Sequence, residues 1–406
     1  MIIYRELNNN KQDFLISLIL IFLPATFLIG SSVINISVIL IDSLFLYILY
    51  KNKDFKYLNN KYFYSLLIFW FYLIINLLFS INVNESLERS LGFIRFVIFA
   101  FAINYFFSTK TKEIKNFILK SWLVIFLFIS IDLIIEFSFG SNIFGFQSPF
   151  EGRLGGVLGN ELKIGHFYSA FILYALYSVY EISNKKTENN IFFYIFIILF
   201  LFISLIIGER SNFLKTIFIL SFFVFLIDKK NFLKKFLSLG FFVIALFILI
   251  FNNPNFHHRF LGKLLIPFIT NPVELISESK YGSHYKVAVQ VFKNNKLFGV
   301  GLKNYREEVK DKKYDRDASI HPHQVHFEIL SELGLIGYIL FISIFFFNVY
   351  HSIKFYLIEK DELKLCGILF VVATLIPLLP SGSFFTTYGA ALFWFNFSFM
   401  LSKMPK

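Results

Sequence analysis

Apolar runs of membrane length recur along this chain, and every second connection between them is rich in lysine. About 20 apolar residues cross roughly 30 Å of hydrocarbon as a helix, so this pattern constrains the fold more than any motif. A peptide chain in lipid must satisfy its own N–H and C=O groups, which points to an all-α polytopic membrane protein. Hydrophobic residues make up 56% of the sequence and charged ones only 16%, which excludes a soluble domain of this length. Hydropathy predicts about twelve transmembrane helices. They run Phe14–Gly30, Ser32–Tyr50, Tyr62–Ile81, Leu91–Phe107, Phe117–Phe139, Ile164–Tyr180, Ile191–Ile207, Asn212–Ile227, Phe236–Phe251, Phe327–Tyr350, Leu365–Leu379 and Phe384–Leu401.

Orientation follows from lysine. The rich connections hold Lys51, Lys53, Lys56 and Lys61, then Lys110, Lys112 and Lys115, Lys185 and Lys186, Lys229, Lys230, Lys234 and Lys235, and Lys354, Lys360 and Lys364. Arg5, Lys11, Lys403 and Lys406 fall on the same side, so the positive-inside rule makes both termini cytoplasmic. The formal charge of +12 is therefore read as topology, with no nucleic-acid partner. The first apolar run is followed by many more without a cleavage site, so it is read as a span and not a secretory signal. Cys366 is the single cysteine, which excludes an intrachain disulfide.

One outer connection, Asn252 to His326, is far longer than the rest. Connections of that length usually have a job. The chain is thus expected in three parts: an N-terminal bundle of about nine spans over 1–251, an extracytoplasmic loop over 252–326 between spans nine and ten, and a bundle of about three spans over 327–406. Within the loop, Tyr285, Val289 and Phe292 share helical spacing and predict an amphipathic helix on the membrane surface.

Polar groups collect on the outer side. In "EGRLGGVLGNELKIGH", Gly152, Gly155, Gly156 and Gly159 permit a tight backbone whose N–H groups meet an anion beside Arg153, or else a flexible turn. In "IIGERSNFL", Glu209 and Arg210 stand at a tight hairpin, with Ser211 or Asn212 capping the next helix. Guanidinium grips a diphosphate through parallel bonds, and the alternative is a Glu209–Arg210 surface pair. "NNKLFGVGLKNYREE" reads as a turn that presents Arg306. Asp132 and Glu136 lie one turn apart near the outer end of the fifth span, and pairing of either with Arg95 is the expected way to neutralise them. A proton-handling role is the other reading.

"SIHPHQVHFEILSELGLIGYIL" places His321, His323 and His326 at the lip of a span. Pro322 suits a first helical turn, which would put His323 at the positive dipole end as a neutral base beside an anion. A zinc site through the HxH and HxxH spacings and plain interfacial histidines are the competing readings. No Cys, Asp or Glu motif elsewhere completes a metal set.

These segments resemble the O-antigen ligase and O-antigen polymerase superfamily. "HPHQVHFEILSELGLIGYILF" is similar to its signature, with His323 and Gln324 before Glu332-Leu333-Gly334-Leu335-Ile336-Gly337. "GERSNFL", "LFGVGLKNYR" and "RLGGVLGNELKIG" resemble further motifs, and "PLLPSGSFFTTYG" looks like the ending of polymerase-like members. The resemblance runs from about Arg153 onward. Gln324 replaces the commoner Asn, and His284 in "GSHYK" stands where many ligases carry an arginine.

The resemblance implies a glycosyltransferase of the bacterial inner membrane acting on its periplasmic face. The donor is a glycan on undecaprenyl diphosphate. The acceptor is a sugar hydroxyl on lipid A–core for a ligase, or on a growing O-antigen chain for a polymerase. It implies no cofactor and no metal, because arginines stabilise a leaving group that is already a diphosphate. His323 is the implied catalytic residue. Arg210, with Arg153 or Arg306, is the implied diphosphate grip, surrounded by His321, His326, Glu209, Gln324 and His284. A lipid-linked glycan transporter is the reading from a different class, although such proteins place polar sites at the midplane between related halves.

Overall fold

A computed structural model describes residues 11–183, 191–227, 240, 244, 247–248, 250–273, 279–310, 314 and 319–401. Among them the regular elements are helical: α1 (Lys11–Ile29), α2 (Ser31–Asn52), α3 (Lys61–Asn76), α4 (Val83–Gly92), α5 (Ile94–Thr109), α6 (Lys112–Phe139), α7 (Ile164–Ile182), α8 (Ile191–Ile206), α9 (Arg210–Ile227), α10 (Lys280–Asn294), α11 (Val325–Glu359), α12 (Glu362–Thr374) and α13 (Thr387–Met400), with shorter turns between. A helix stands at each predicted span whose residues are described throughout. Phe236–Phe251 falls largely outside the described residues, as do Arg5, Lys185, Lys186, Lys229, Lys230, Lys234, Lys235, Lys312, Lys313, Arg316, Lys403 and Lys406.

Length and composition license six membrane crossings among the described residues, against the twelve expected: Ser31–Asn52, Lys61–Phe79, Val83–Thr109, Lys112–Phe139, Arg210–Ile227 and Val325–Glu359. The predicted spans Leu365–Leu379 and Phe384–Leu401 shrink to helices of 13 and 14 residues. The tail motif between them is not helical, since Pro377 and Pro380 lack an N–H and Leu378 sits at φ +63°.

The chain divides into two compact units interleaved in sequence. The first takes Met1–Ser37, Tyr105–Leu265 and Glu359–Ala373. Its centre is α7, apolar on all sides and buried almost throughout, as a helix must be when α6, α8 and α9 surround it. Pro24 interrupts α1 and cannot donate to the carbonyl of Leu20. Trp122 of α6 fills that vacancy, its Nε1–H donating to Leu20 O at 2.7 Å. In hydrocarbon, where water is absent, such replacements are obligatory.

The second unit takes Val38–Asn104, Ile266–Ile358 and Thr374–Lys406. Its long helix α11 is broken at Gly334, which adopts φ +69° and ψ −170°. A Cβ there would lie 2.3 Å from the carbonyl oxygen of Leu297, so only glycine fits. The loop after α10 supplies what the break removes. Leu335 and Ile336 donate to the carbonyls of Lys296 and Leu297 at 2.8 and 3.2 Å, and Val300 and Gly301 donate to Ser331 and Glu332 at 3.1 and 2.8 Å. The Tyr72 hydroxyl donates to Leu333 O at 2.6 Å.

Helix α10 is present as predicted, but its apolar face is covered by protein. Val287, Ala288 and Val291 pack with Val300, Tyr305 and Tyr314, and the Tyr285 ring stacks on Phe327 at 4.7 Å. Of the face read from the sequence, Tyr285 is buried while Val289 and Phe292 are half-buried.

Gly334→Ala is expected to destabilise the protein by more than the about 1–3 kcal/mol of a strained backbone position, because a steric clash adds to it. Thermal unfolding of the detergent-solubilised variant measures the loss.

Candidate active site

In the first unit, three segments that are distant in sequence converge on the Gly-Glu-Arg hairpin. Helix α8 ends at Ile206, Gly208 turns at φ +77°, and α9 begins at Arg210. A Cβ on Gly208 would lie 2.0 Å from Gly152 O, so the hairpin and the glycine loop touch backbone to backbone. Leu154 N–H donates to Ile207 O at 3.1 Å and fixes that approach. The expected cap at Ser211 or Asn212 is not what forms. The Glu209 carbonyl accepts from Phe213 N–H at 2.9 Å, while the Asn212 amide donates to the Glu209 carboxylate.

Glu209 is only 8% exposed, so the reading as an exposed pair with Arg210 does not hold. Burial raises its pKa, opposed by the Asn212 hydrogen bond, the Arg153 charge and the Gly165 N–H. Arg210 Nη1 donates to Lys263 O at 3.1 Å. Arg153 and Arg210 thus border one carboxylate-centred turn.

Arg259, which no sequence motif singles out, binds this turn together. Its Nη1 donates to Glu151 O and its Nη2 to Gly208 O, each at 2.8 Å. One guanidinium therefore ties the segment before Arg153 to the segment before Arg210. The only hint in the sequence was an arginine among many basic loop residues.

The glycine loop is also different from expectation. Its amides meet an anion, but an internal one: Gly155 and Gly156 donate to the Glu136 carboxylate at 3.0 and 2.6 Å. Asp132 accepts from Ile143 N–H at 3.0 Å and from the Asn142 side chain at 3.5 Å. The expected pairing with Arg95 is therefore replaced by backbone contacts. Arg95 belongs to the other unit, where it lies over the Phe96 ring at 4.8 Å and feels the charge of Asp42.

In the second unit the histidines separate. Helix α11 starts at Val325 and not at Pro322, so His323 precedes the helix and does not sit in its first turn. Gln324 is the cap: its Oε1 accepts from His326 N–H at 2.7 Å and Phe327 N–H at 3.2 Å. The longer amide does what the commoner Asn would do. His326 turns away from the other two, with Nε2 against Leu375 O at 2.9 Å and Nδ1 against the Tyr338 hydroxyl at 3.2 Å.

His323 adopts φ +56°, a sparsely populated region for a residue with a side chain. Two contacts hold that backbone, and two more engage the ring. Its N–H donates to His321 Nδ1 at 3.1 Å, and its carbonyl accepts from Ser381 N–H of the tail motif at 2.7 Å. Its Nε2 lies 3.0 Å from Ser319 Oγ, and its ring stacks on His284 at 5.1 Å. The cluster is thus His284, His321 and His323, with Tyr281 5.7 Å from His323 between ring centres. His284 comes from α10 and joins the cluster, as the resemblance implies for a residue around the site.

Two glutamates of α11 bring the remaining motifs to this cluster. Glu328 accepts from Phe384 N–H at 2.8 Å and Ser383 Oγ at 2.5 Å, which anchors the tail motif. Glu332, one turn on, accepts from Lys303 N–H at 2.8 Å, which anchors the loop before Arg306. Arg306 lies close enough for its charge to act on His321.

An all-helical chain with several helices of membrane-crossing length and composition is a multi-pass membrane protein. Residues 195–342 match the family described as O-antigen ligase, and over that segment the resemblance read from the motifs holds. The segment contains Glu209, Arg210, His284, Arg306, His321, His323, Gln324 and His326, and begins after Arg153. No curated protein matches the chain.

Two outcomes follow from this geometry. Arg259→Gln loses the double brace and is expected to lower the unfolding temperature, at about 1.5–3 kcal/mol for hydrogen bonds from a charged donor. Burial, and then the charges of His284 and Arg306, push the His321 pKa down to about 4. The unfolded chain binds that proton at about 6.5, so protonation opposes folding as pH falls from about 6.5 to about 4. His321→Gln is expected to remove part of the stability loss in that window, read from unfolding temperatures across pH.

Proposed function

We propose that this chain transfers a glycan from undecaprenyl diphosphate to an acceptor sugar hydroxyl on the periplasmic face of the bacterial inner membrane. Both termini are then cytoplasmic, the chain crosses about twelve times, and residues 252–326 form the periplasmic connection. The acceptor is lipid A–core in a ligase or a growing O-antigen chain in a polymerase.

The acceptor oxygen forms a bond to the anomeric carbon as the bond from that carbon to the diphosphate oxygen breaks. The electron pair leaves on the diphosphate, and the acceptor proton passes to His323. Arg210, with Arg153 or Arg306, takes the growing negative charge, a role suited to a forked donor. Glu209 stands next to Arg210 in its hairpin, His321 and His284 contact His323, Gln324 caps the helix that follows, and His326 lies apart from them. A diphosphate is already a good leaving group, so the reaction balances without a metal or cofactor.

The observation that carries this reading is His323, held at positive φ by two backbone contacts with its ring engaged by two more, inside the segment that matches the ligase family. Backbone strain maintained by its surroundings is a mark of functional positions. The match to the O-antigen ligase family supports transfer over the transporter reading.

Purified protein with undecaprenyl-diphosphate glycan and acceptor provides the test. His323→Ala is expected to lower kcat by about 10²–10⁴, the range for a general base. Arg210→Ala should weaken transfer while the fold is retained. Wild-type turnover by His323→Ala would sink the base assignment. Turnover should persist in excess chelator, and loss followed by recovery with zinc would assign a metal. Lipopolysaccharide from a knockout strain separates the acceptors: free lipid-linked long chains mark a ligase, and a core with one repeat unit marks a polymerase.

A further inference from the structure

We infer that Ser319 is a positioning residue for the transfer reaction, acting through its hydroxyl on the imidazole of His323. The inference rests on the proposed base role of His323.

Ser319 touches two histidines with two different groups. Its backbone N–H donates to His284 Nδ1 at 3.1 Å, and its Oγ lies 3.0 Å from His323 Nε2. The first contact uses main chain and survives any substitution at 319. The second depends on the hydroxyl alone. A single side chain can therefore be removed without disturbing the bond that locates the loop against α10.

The hydroxyl contact settles the remaining freedom of the His323 ring. The strained backbone is held by His321 Nδ1 and Ser381 N–H, which fix the Cα–Cβ direction but leave rotation about the side-chain bonds. Stacking on His284 at 26° fixes the ring plane, yet a stacked ring can still flip about its Cβ–Cγ bond, which puts ring carbons where its nitrogens stood. A hydrogen bond to Nε2 distinguishes the two flip states. It also couples ring orientation to tautomer, because the partner on one nitrogen decides where the proton sits on the other. A base whose orienting partner is removed keeps its chemistry but spends part of its time in the unproductive arrangement.

The fold supports this as a local device. His284 brings one wall from α10, Ser319 and His321 come from the loop before α11, and Ser381 comes from the tail. Each contact is satisfied within one compact unit. Removing the hydroxyl leaves the other contacts standing, so the effect should appear in turnover and not in folding.

The experiment is a double-mutant cycle on the purified full chain, with undecaprenyl-diphosphate glycan and acceptor as substrates. Ser319→Ala is expected to lower kcat about tenfold or more, within the about 10²–10⁴ that the base itself supplies. The KM for donor and the unfolding temperature should stay near wild type. Ser319→Thr keeps a hydroxyl and should recover most of the turnover. In a His323→Ala background, Ser319→Ala should cost nothing further, since residues acting through one another are not additive. Wild-type kcat in Ser319→Ala, equal loss with threonine, or an additive loss in the double variant would overturn the inference while leaving His323 as the base. Wild-type turnover by His323→Ala would instead overturn the proposed function beneath it.

Discussion

Peptide groups inside hydrocarbon have no water to turn to, and the break in α11 at Gly334 makes that requirement organise the second unit. A helix interrupted there leaves Ser331, Glu332, Leu335 and Ile336 without their usual helical partners, and Lys296 to Gly301 supplies them in register. The loop that answers the break then continues to Lys303 and the turn Tyr305–Glu308, where Arg306 sits. The break therefore lies between two consequences. Before it, α11 begins beside His323; across it, the loop bearing Arg306 is fixed to the same helix. Pro24 in the first unit poses the same problem on a smaller scale, and Trp122 answers it.

Buried carboxylates do the corresponding work for loops. Glu136 takes the amides of Gly155 and Gly156, Asp132 takes Ile143, Glu328 takes Phe384, and Glu332 takes Lys303. In each case a helical carboxylate accepts from the backbone of a loop. A carboxylate bonded to amide N–H groups holds geometry more tightly than one paired with a flexible lysine, because the amides belong to the chain being positioned. The result is that, within each unit, loops distant in sequence are held to a helix by its own carboxylates.

Much of this architecture was legible in the sequence because hydropathy and lysine alternation report directly on lipid and on membrane sidedness. Helix positions follow from it; Arg210 stands out as an arginine on the lysine-poor side, His323 by its place after Pro322, and Gln324 only through the resemblance. What escaped was backbone chemistry. Asp132 and Glu136 were paired with Arg95 by charge sign, since peptide N–H groups carry no letter in the sequence. Arg259 was lost among many basic residues because its value lies in two carbonyls, Glu151 O and Gly208 O. Spacing grouped His326 with His321 and His323, but a helix start displaced by three residues sends it to Leu375 and Tyr338. At the tail the predicted span Leu365–Leu379 runs past the helix, which ends at Thr374, because apolar composition continues into the segment of Pro377 where the helix does not.

His284 bears on how the diphosphate charge is divided. Its Nδ1 accepts the Ser319 N–H, so that nitrogen carries no proton and the ring offers one donor at Nε2. A guanidinium offers five donors in a fixed fork and remains charged at any relevant pH. The ring therefore cannot reproduce the bidentate grip of the arginine found there in many ligases. What it supplies is a flat face for His323 and a fixed acceptor for the loop. On the proposed mechanism the charge load then rests on Arg210 with Arg153 or Arg306, and His284 serves to align the base.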